Sequence, residues 1–476
     1  MPVWGRKRAC LWRACAHWGP RRCPLKNWIR PSHGWRTPPP WLYKSSVIDL
    51  ATILDYALAA LAIAAVFSAL VFVHEWGHYA VARLAGVRVE AFSIGFGPEL
   101  CGWSDRHGTR WKVCAVPLGG YVKMFGDTDA ASAGKDTSLT PEEQKDTFYA
   151  KPLWKRALVI AAGPGVNYLF AFVLLAGLYA TVGKPMAPPV AAGVMAGSVA
   201  EEIGIAPGDA VVAIDGRPMH SFDDITRVML LARGEAKRLT VHRGDQVLYL
   251  TAAPKVEEHE DDMGFATSRA RLGLLGPQGA FKMDKVEVID GDGPVCDRLG
   301  QEVRLRVAGE EDVFILRPTV AGNPDCATAE ILYVTDKDGM EPVRLGPVQA
   351  LAAAGARVWA VNATILASFG QIFTGERSPR ELGGVIRIGA VISDMVEGGL
   401  PALIALTAFL SVTLGLINLF PIPVLDGGHL VFYAIEAVLG RPVPEKVQDW
   451  AFQAGFVFLI GVMLFTNLND IVQLIW

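Results

Sequence analysis

A long apolar run, Tyr56–Val73, continues without a break into the ionisable residues that begin at His74. A helix of this length rises ~1.5 Å per residue and crosses most of a ~30 Å hydrocarbon core. Three further apolar runs follow, at 157–182, 400–420 and 452–465. Composition agrees, because 51% hydrophobic and 20% charged residues make 476 residues too apolar for a set of solvated domains. The sequence therefore predicts an α-helical polytopic membrane protein with about four transmembrane helices.

Charge and cysteine content exclude several other classes of protein. A formal net charge of −3 gives no basic surface for nucleic acid, so no nucleic-acid partner is expected. Seven cysteines are too few for a disulfide scaffold, and they include no CxxC pair for a zinc ribbon. Cys296 and Cys326 share the long loop between the second and third apolar runs. They form either a disulfide, if that loop is extracytoplasmic, or two free thiols.

The strongest chemical signal is the HExxH sequence that starts at His74. On a helix, His74 and His78 lie on one face, where both imidazoles can reach one zinc ion at ~2.0–2.1 Å. Glu75 sits beside them, where it can accept a proton from the attacking water. Ionisable side chains at the end of a membrane span are unfavourable unless they line a wet cavity, so the motif predicts a functional site. The alternative is an interfacial cluster satisfied by lipid headgroups and water.

A catalytic zinc usually takes three protein ligands, and the third is expected where the run 400–420 ends. Pro421 and Pro423 break that helix, and Asp426 follows in an irregular segment that is tolerated at this depth only beside a cavity. One crossing separates the first and third spans, so their C-terminal ends lie on the same side of the membrane. Asp426 is therefore the preferred third ligand, with His429 as the alternative. Asp426 could also cap the following helix.

Six segments together resemble the site-2 protease family of intramembrane zinc metalloproteases, most closely the branch of the bacterial regulator of sigma-E protease. They are His74–His78, Gly95–Pro98, Pro117–Met124, Gly163–Asn167, Ser378–Gly384 and Asn418–Leu430. The resemblance implies a zinc cofactor, with Glu75 as general base and Asp426 as third ligand beside His74 and His78. It also implies that Asn418 holds the substrate strand or the oxyanion.

The family also has a membrane-associated hairpin that pairs with an unwound substrate helix, and the segment Gly120–Met124 resembles its strand. An exposed strand edge can receive a freed backbone by strand addition. Gly120, Tyr121 and Val122 are therefore candidate substrate-binding residues. Asn167, in the middle of the second span, is a further candidate, but a hydrogen bond between helices explains a buried amide there at least as well.

The resemblance implies substrates that are single-span membrane proteins of the anti-sigma factor type, cleaved in regulated proteolysis and stress signalling. It places the chain in the cell inner membrane, in contact with lipid, with the zinc near the cytoplasmic side and the long loop in the periplasm. Met1–Lys44 would then be extracytoplasmic, where its ten Arg and Lys residues oppose the positive-inside rule. A catalytically silent scaffold and a metal-binding transporter are the alternative functions.

Turn and strand signals suggest the organisation of the remaining chain. Gly95–Pro98 is expected to form a turn and Tyr121–Met124 a short strand. Predicted strands alternate with Gly and Pro turns around Ala196–Ala200 and Ile205–Asp209, and this pattern resembles a PDZ domain. Residues 277–344 depart from the family pattern. They form either a degenerate second PDZ domain or another module. The expected domains are a basic tail, disordered or mis-started, at 1–46, a first membrane half at 47–183, a PDZ-like domain at 184–270, a β-rich insertion at 271–344, an amphipathic membrane-surface region at 345–399 and a second membrane half at 400–476.

Overall fold

The structure, a computed structural model, describes residues 50–475 apart from gaps at 127–138, 185–186, 233, 261–265, 278–279, 283–284, 291–294, 308–311, 321–330 and 334–341. The basic tail expected at 1–46 lies outside the described residues. The chain divides into two compact units, Met1–Ala57 and Leu58–Trp476. Only the beginning of the first helix is described in the first unit.

The longer helices are α1 (Leu50–Leu84), α2 (Leu153–Thr181), α3 (Phe222–Ala232), α4 (Pro347–Thr374), α5 (Val385–Glu397), α6 (Gly399–Asn418), α7 (Asp426–Leu439) and α8 (Glu445–Ile475). Short helical turns lie at Pro141–Gln144, Val199–Glu202, Val295–Arg298 and Pro379–Glu381.

Five of the described helices are long and apolar enough to cross a membrane, namely α1, α2, α4, α6 and α8. This number agrees with a polytopic helical membrane protein, with one candidate span more than the four expected. The additional candidate is α4, which from the sequence we expect on the membrane surface. Length and composition fit both placements, so the surface position of α4 stays a prediction.

The last helix is longer than the apolar run 452–465 indicates. It continues into polar residues because these have partners at the start of α5. The carboxylate of Asp470 accepts hydrogen bonds from the backbone N–H groups of Gly384 and Arg387, and Asn467 accepts one from Val385. Side chains of α8 therefore cap α5 in place of a local N-cap residue.

Contacts along the helices give their directions. Lys155, at the start of α2, donates to the carbonyl of Ala85 just after α1, whereas Asn167 contacts His74. Helix α6 also runs antiparallel to α2, through the contacts Gly415–Pro164 and Ser411–Asn167. Helices α1 and α6 consequently run in the same direction, and their C-terminal ends lie on one side of the bundle.

A hairpin of β1 (Val89–Ser104) and β2 (Arg110–Met124) connects α1 with α2. Residues 89–94 pair with 120–124 on one side and with 110–113 on the other. The segment 120–124 therefore lies at an edge, and no other strand in the described part of the chain pairs with it.

The segment Gly95–Pro98, where we expect a turn, lies within the bounds of β1, yet the chain reverses direction across it. Residues 91–94 run parallel to 110–113, whereas 101–104 run antiparallel to the same residues, and Gly95 and Gly97 between them have φ of 86°. A second reversal lies around Asp105, which accepts backbone hydrogen bonds from His107 and Thr109. The second turn is closed by an Asp side chain, a common arrangement that we did not single out from the sequence.

The β-rich region contains β3 (Val190–Ala191), β4 (Gly193–Met195), β5 (Asp209–Ile214), β6 (Arg217–Pro218), β7 (Lys237–Arg243), β8 (Gln246–Ala252), β9 (Lys255–Glu260), β10 (Ala266–Arg271), β11 (Leu274–Leu275), β12 (Ala280–Lys282), β13 (Val286–Val288), β14 (Val303–Val307), β15 (Val313–Leu316), β16 (Thr319–Val320) and β17 (Ile331–Tyr333). One sheet has the order β3-β5-β7-β8, with β6 on β5, and α3 shares its core.

A second sheet joins the predicted PDZ-like domain to the insertion, with the strand order β11-β4-β15-β14-β13. Ile315 of the insertion pairs with Val194 of the PDZ-like part, and Leu316 pairs with Gly193. One apolar core lies under these strands, with Ala192, Val303, Leu305, Phe314 and Leu316 among its buried residues. The strands β13 to β15 therefore share a sheet with β4 of the PDZ-like part. Whether that part is a PDZ domain stays a prediction.

Cys296 forms a disulfide, Cys101 and Cys114 are free thiols, and Cys326 lies outside the described residues. We predict that Cys296 and Cys326 are linked, which closes a loop worth typically 2–4 kcal/mol of stability. Peptide mapping of the purified protein without reductant should find the two cysteine peptides joined, with a reduced sample as control. Alkylation of both thiols in intact cells without reductant would contradict this pairing.

Candidate active site

The HExxH segment lies in α1, where the helical repeat puts His74 and His78 on one face. Their Nε2 atoms are 3.2 Å apart, and the rings meet edge to face with centroids 4.8 Å apart. His78 is buried. The two imidazole nitrogens can therefore share one bound atom.

Asp426 is the first residue of α7 and lies beside both histidines. Its Oδ2 is 3.2 Å from Nε2 of His74 and 3.5 Å from Nε2 of His78. Within the described part of the chain, these three residues form the one group of His, Cys, Asp or Glu donors within 4.8 Å of one another. His429, the alternative third ligand, lines the same cavity outside this group, and its ring packs against Phe452.

Close backbone packing fixes the position of Asp426. Helix α6 ends at Asn418, and α7 begins after a short irregular segment. A Cβ on Gly427 would lie 2.2 Å from the carbonyl oxygen of Phe420, so only glycine allows α7 to start this close to the end of α6. Val424 has a φ of 103°, which is strained for a β-branched residue. The tight connection leaves the Asp426 carboxylate little freedom.

The three donor atoms fit zinc. Tetrahedral coordination with bonds of ~2.0–2.1 Å separates neighbouring ligand atoms by roughly 3.3 Å. The observed separations among the three donors are 3.2, 3.2 and 3.5 Å. The Oδ2 atom of Asp426 is also buried, and no described group gives it a well-aligned hydrogen bond. A bound cation would satisfy this oxygen and both imidazole nitrogens at once.

Helix α2 holds both histidines from behind. Nδ1–H of His78 donates to the carbonyl of Val159 at 2.9 Å, which leaves Nε2 free to bind a metal. Nδ1 of His74 is 3.2 Å from the Asn167 amide nitrogen, and Oδ1 of Asn167 has no described partner. Rotating the side-chain amide of Asn167 by half a turn would exchange the positions of its nitrogen and Oδ1. Oδ1 would then accept the Nδ1–H of His74, which leaves Nε2 of His74 free to bind a metal, as in His78. Because a Cβ on Gly163 would lie 2.2 Å from Nε2 of His78, only glycine leaves room for the ring.

Asn167 lies behind His74 and is not among the residues that line the cavity. Its side chain is fully buried, and Oγ of Ser411 in α6 donates to the backbone carbonyl of Asn167 at 2.9 Å. Of the two explanations that the sequence leaves open, these contacts favour the hydrogen bond between helices over the substrate contact. The contact with His74 was not foreseen, because no local signal indicates which side chain faces a mid-span amide.

A cavity of about 550 Å³ opens in front of the donors. The predicted residues on its wall are His74, Glu75, His78, Gly120, Tyr121, Val122, Asn418 and Asp426. Helix α8 adds Phe452, Gln453 and Phe456, which we did not single out from the sequence. A polar Gln453 within an apolar run was the one available signal for this wall.

The edge segment 120–124 forms another wall of the cavity. Gly120 packs against α1, since a Cβ there would lie 2.8 Å from the Val71 side chain and 3.3 Å from Cγ of Glu75. The backbone N–H of Val122 faces the Glu75 carboxylate. Because residues 89–94 occupy one edge of this segment, its second edge is available on the side of Glu75.

Sequence comparisons agree with this arrangement. The sequence model of peptidase family M50 matches residues 62–462. A protein of Rhizobium meliloti named as a zinc metalloprotease is 37% identical over 84% of this chain and 93% of its own. One from Agrobacterium fabrum with a similar name is 37% identical over 86% of this chain and 94% of its own. Metalloprotease MmpA of Caulobacter vibrioides is 32% identical over 85% of this chain and 93% of its own.

If Asp426 is the third ligand, Asp426→Ala should weaken zinc binding by more than the ~10–100-fold typical of changes around a ligand. His429→Ala is the matched control and should keep its zinc. The measurement is the zinc content of purified, detergent-solubilised protein after dialysis against a weak chelator. Full zinc in Asp426→Ala together with loss in His429→Ala would transfer the role to the histidine.

Proposed function

Because the chain belongs to peptidase family M50 and is a zinc metalloprotease, we propose that it cleaves single-span membrane proteins within or near their transmembrane segments. The observation that carries the proposal is the position of the donor group. His74, His78 and Asp426 meet between apolar helices, and an open strand edge lies beside them. A transporter or a silent scaffold has no need of Glu75 next to such an edge.

Zinc held by His74, His78 and Asp426 would supply the Lewis acid that polarises the scissile carbonyl and activates water. Glu75 follows His74 in the same helix and takes the proton from the attacking water. The carboxyl group then passes that proton to the leaving nitrogen, and the product departs as a neutral amine. The N–H of Val122 faces this carboxylate and restrains its orientation.

The open edge of β2 gives a reason why a membrane helix can be cut at all. A helix keeps its carbonyls in internal hydrogen bonds, so hydrolysis requires local unwinding, and the freed backbone needs new partners within the membrane. Residues 120–122 can supply them by strand addition. Added to this edge, an unwound segment would lie alongside Glu75 and the zinc ligands.

Asn418 is proposed to assist from another part of the cavity wall. It ends α6 and lines the cavity that holds the zinc donors. A side-chain amide offers two donors and one acceptor, so it can hold either the substrate strand or the developing oxyanion.

The β-rich region from β3 to β17, called the module from here on, is proposed to control the access of substrates to the active site from the far side of the membrane. Helix α2 ends at Thr181, roughly 27 Å beyond Gly163 at ~1.5 Å per residue, and the module follows that end. Gln371 of α4 also donates to the carbonyl of Leu231 in α3 at 2.9 Å, so the module contacts the bundle along α4. A module that follows the far end of α2 can exclude substrates with bulky extracytoplasmic domains.

We place the protein in the cell inner membrane, with the zinc near the cytoplasmic side and the module in the periplasm. Anti-sigma factors with one span are the proposed substrates, because trimming of their periplasmic domain would remove the bulk that the module excludes. Lipid contacts the long apolar helices, among which α8 exposes Phe456, Val457 and Phe458.

Glu75→Gln should retain zinc and lose cleavage of a purified single-span substrate by at least ~10²-fold, because the amide keeps the size of the side chain and removes the base. Zinc content of the same preparation shows whether the site is intact. Turnover near the wild-type rate would contradict the role of Glu75.

Removing the module should permit cleavage of a substrate that still carries its periplasmic domain. Lys184 and Val343 exchange two backbone hydrogen bonds, of 2.9 and 3.1 Å, so the ends of the module are adjacent. A two-residue Asn-Gly turn can therefore replace 185–342. The same excision with Glu75→Gln is the control for contaminating proteases. Slower cleavage of a pre-trimmed substrate would instead indicate docking, and unchanged rates for both substrates would reject any control of access.

A further inference from the structure

The proposed zinc ligands come from two separate parts of the chain. Contacts elsewhere in the protein must hold these two parts in a fixed relative position. His74 and His78 belong to α1, whereas Asp426 begins α7, 348 residues later than His78 by the numbering 426 − 78. The strained connection before α7 fixes where that helix starts. It does not fix the direction in which the helix leaves, which also determines where the carboxylate points.

One face of α2 contacts both parts. Residues 156, 159, 163 and 167 are spaced i, i+3, i+7 and i+11, which places them on the same side of a helix. Val159 accepts from His78, Gly163 packs under both imidazole rings, and Asn167 contacts His74. Arg156, the first residue of this face, contacts α7 instead.

The contact of Arg156 with α7 has two components. Nη2 of Arg156 bonds to Oε1 of Glu436, and both side chains are largely buried, with 14% and 17% exposed. The guanidinium also lies over the ring of Tyr433, 5.0 Å from its centroid. Partial burial strengthens a charged hydrogen bond and a cation–π contact, relative to the same contacts in water.

These partners lie on the side of α7 that carries Asp426. Tyr433 and Glu436 follow Asp426 by 7 and 10 positions in the numbering, which keeps all three within about a quarter of the helix circumference. Glu436 is roughly 15 Å along the axis from Asp426 at ~1.5 Å per residue. A contact so far from the carboxylate sets the direction of the whole helix.

We propose that Arg156 is a positioning residue, which holds α7 through Glu436 and Tyr433 so that Asp426 meets the two histidines. The proposal rests on the assignment of Asp426 as the third zinc ligand. Arg156 touches neither zinc nor substrate, and its effect passes through the orientation of α7.

The test is the zinc dissociation constant of the purified full-length protein, measured by competition with a chromophoric chelator. Arg156→Gln and Glu436→Gln should each raise it by about 10–100-fold, the range seen when groups behind a ligand are removed. The double variant should be no worse than Arg156→Gln alone, because Arg156 takes part in both contacts. The exchange Arg156→Glu with Glu436→Arg should recover part of the affinity. Lys155→Gln is the matched control, because Lys155 carries the same charge one position away and donates to Ala85.

Two further measurements separate positioning from a loss of folding. The thermal midpoint without metal should stay close to that of the Lys155→Gln control in at least one of the Gln variants. The visible absorption of the cobalt-substituted protein should change in Arg156→Gln and return toward wild type in the exchanged pair. If Arg156→Gln does not fold, Glu436→Gln and the exchanged pair carry the same test.

Wild-type zinc affinity in both Gln variants would overturn the proposal, and so would effects that simply add in the double variant. A different result would contradict the assignment of Asp426 as the third zinc ligand. If Asp426→Ala loses zinc while Arg156→Gln keeps it, only the positioning role is wrong. If Asp426→Ala keeps its zinc, the ligand assignment itself is wrong.

Discussion

Two imidazoles and a carboxylate are buried against one another among apolar helices, and the rest of the structure depends on how that cluster is satisfied. His74, His78 and Asp426 come within 4.8 Å of one another. Burial of such groups is unfavourable unless each finds a partner, and a divalent cation supplies one partner to all three. The chain therefore has to bring two distant segments together at one depth and keep them there.

Helix α2 is the element that makes this possible. It runs antiparallel to both α1 and α6, and its small residues let the histidine rings approach its backbone, as at Gly163. The hairpin then adds what catalysis needs beyond a metal site. Its edge segment 120–124 turns the edge that does not face 89–94 toward Glu75, so the base, the zinc ligands and the binding edge for an unwound substrate adjoin one cavity.

Local sequence patterns predicted the central residues of the candidate site. They could not predict contacts between residues that are far apart in the chain. The spacing of HExxH puts its two histidines on one face, and counting spans placed Asp426 on the same side of the membrane. The Gly and Pro signals at Gly95–Pro98 marked a reversal of the chain, but they did not show that the hairpin folds back on itself there. Local patterns also do not contain the distant partners on which two other features depend. These are the pairing of β4 with β15 and the contact of Asn167 with His74.

X-ray absorption at the zinc K edge of the purified wild-type protein tests the central claim most directly. His74, His78 and Asp426 as ligands predict nitrogen and oxygen scatterers at ~2.0–2.1 Å, outer-shell scattering from two imidazoles and no sulfur at ~2.3 Å. A sulfur ligand, a third imidazole in place of the carboxylate, or the absence of imidazole scattering would contradict the account.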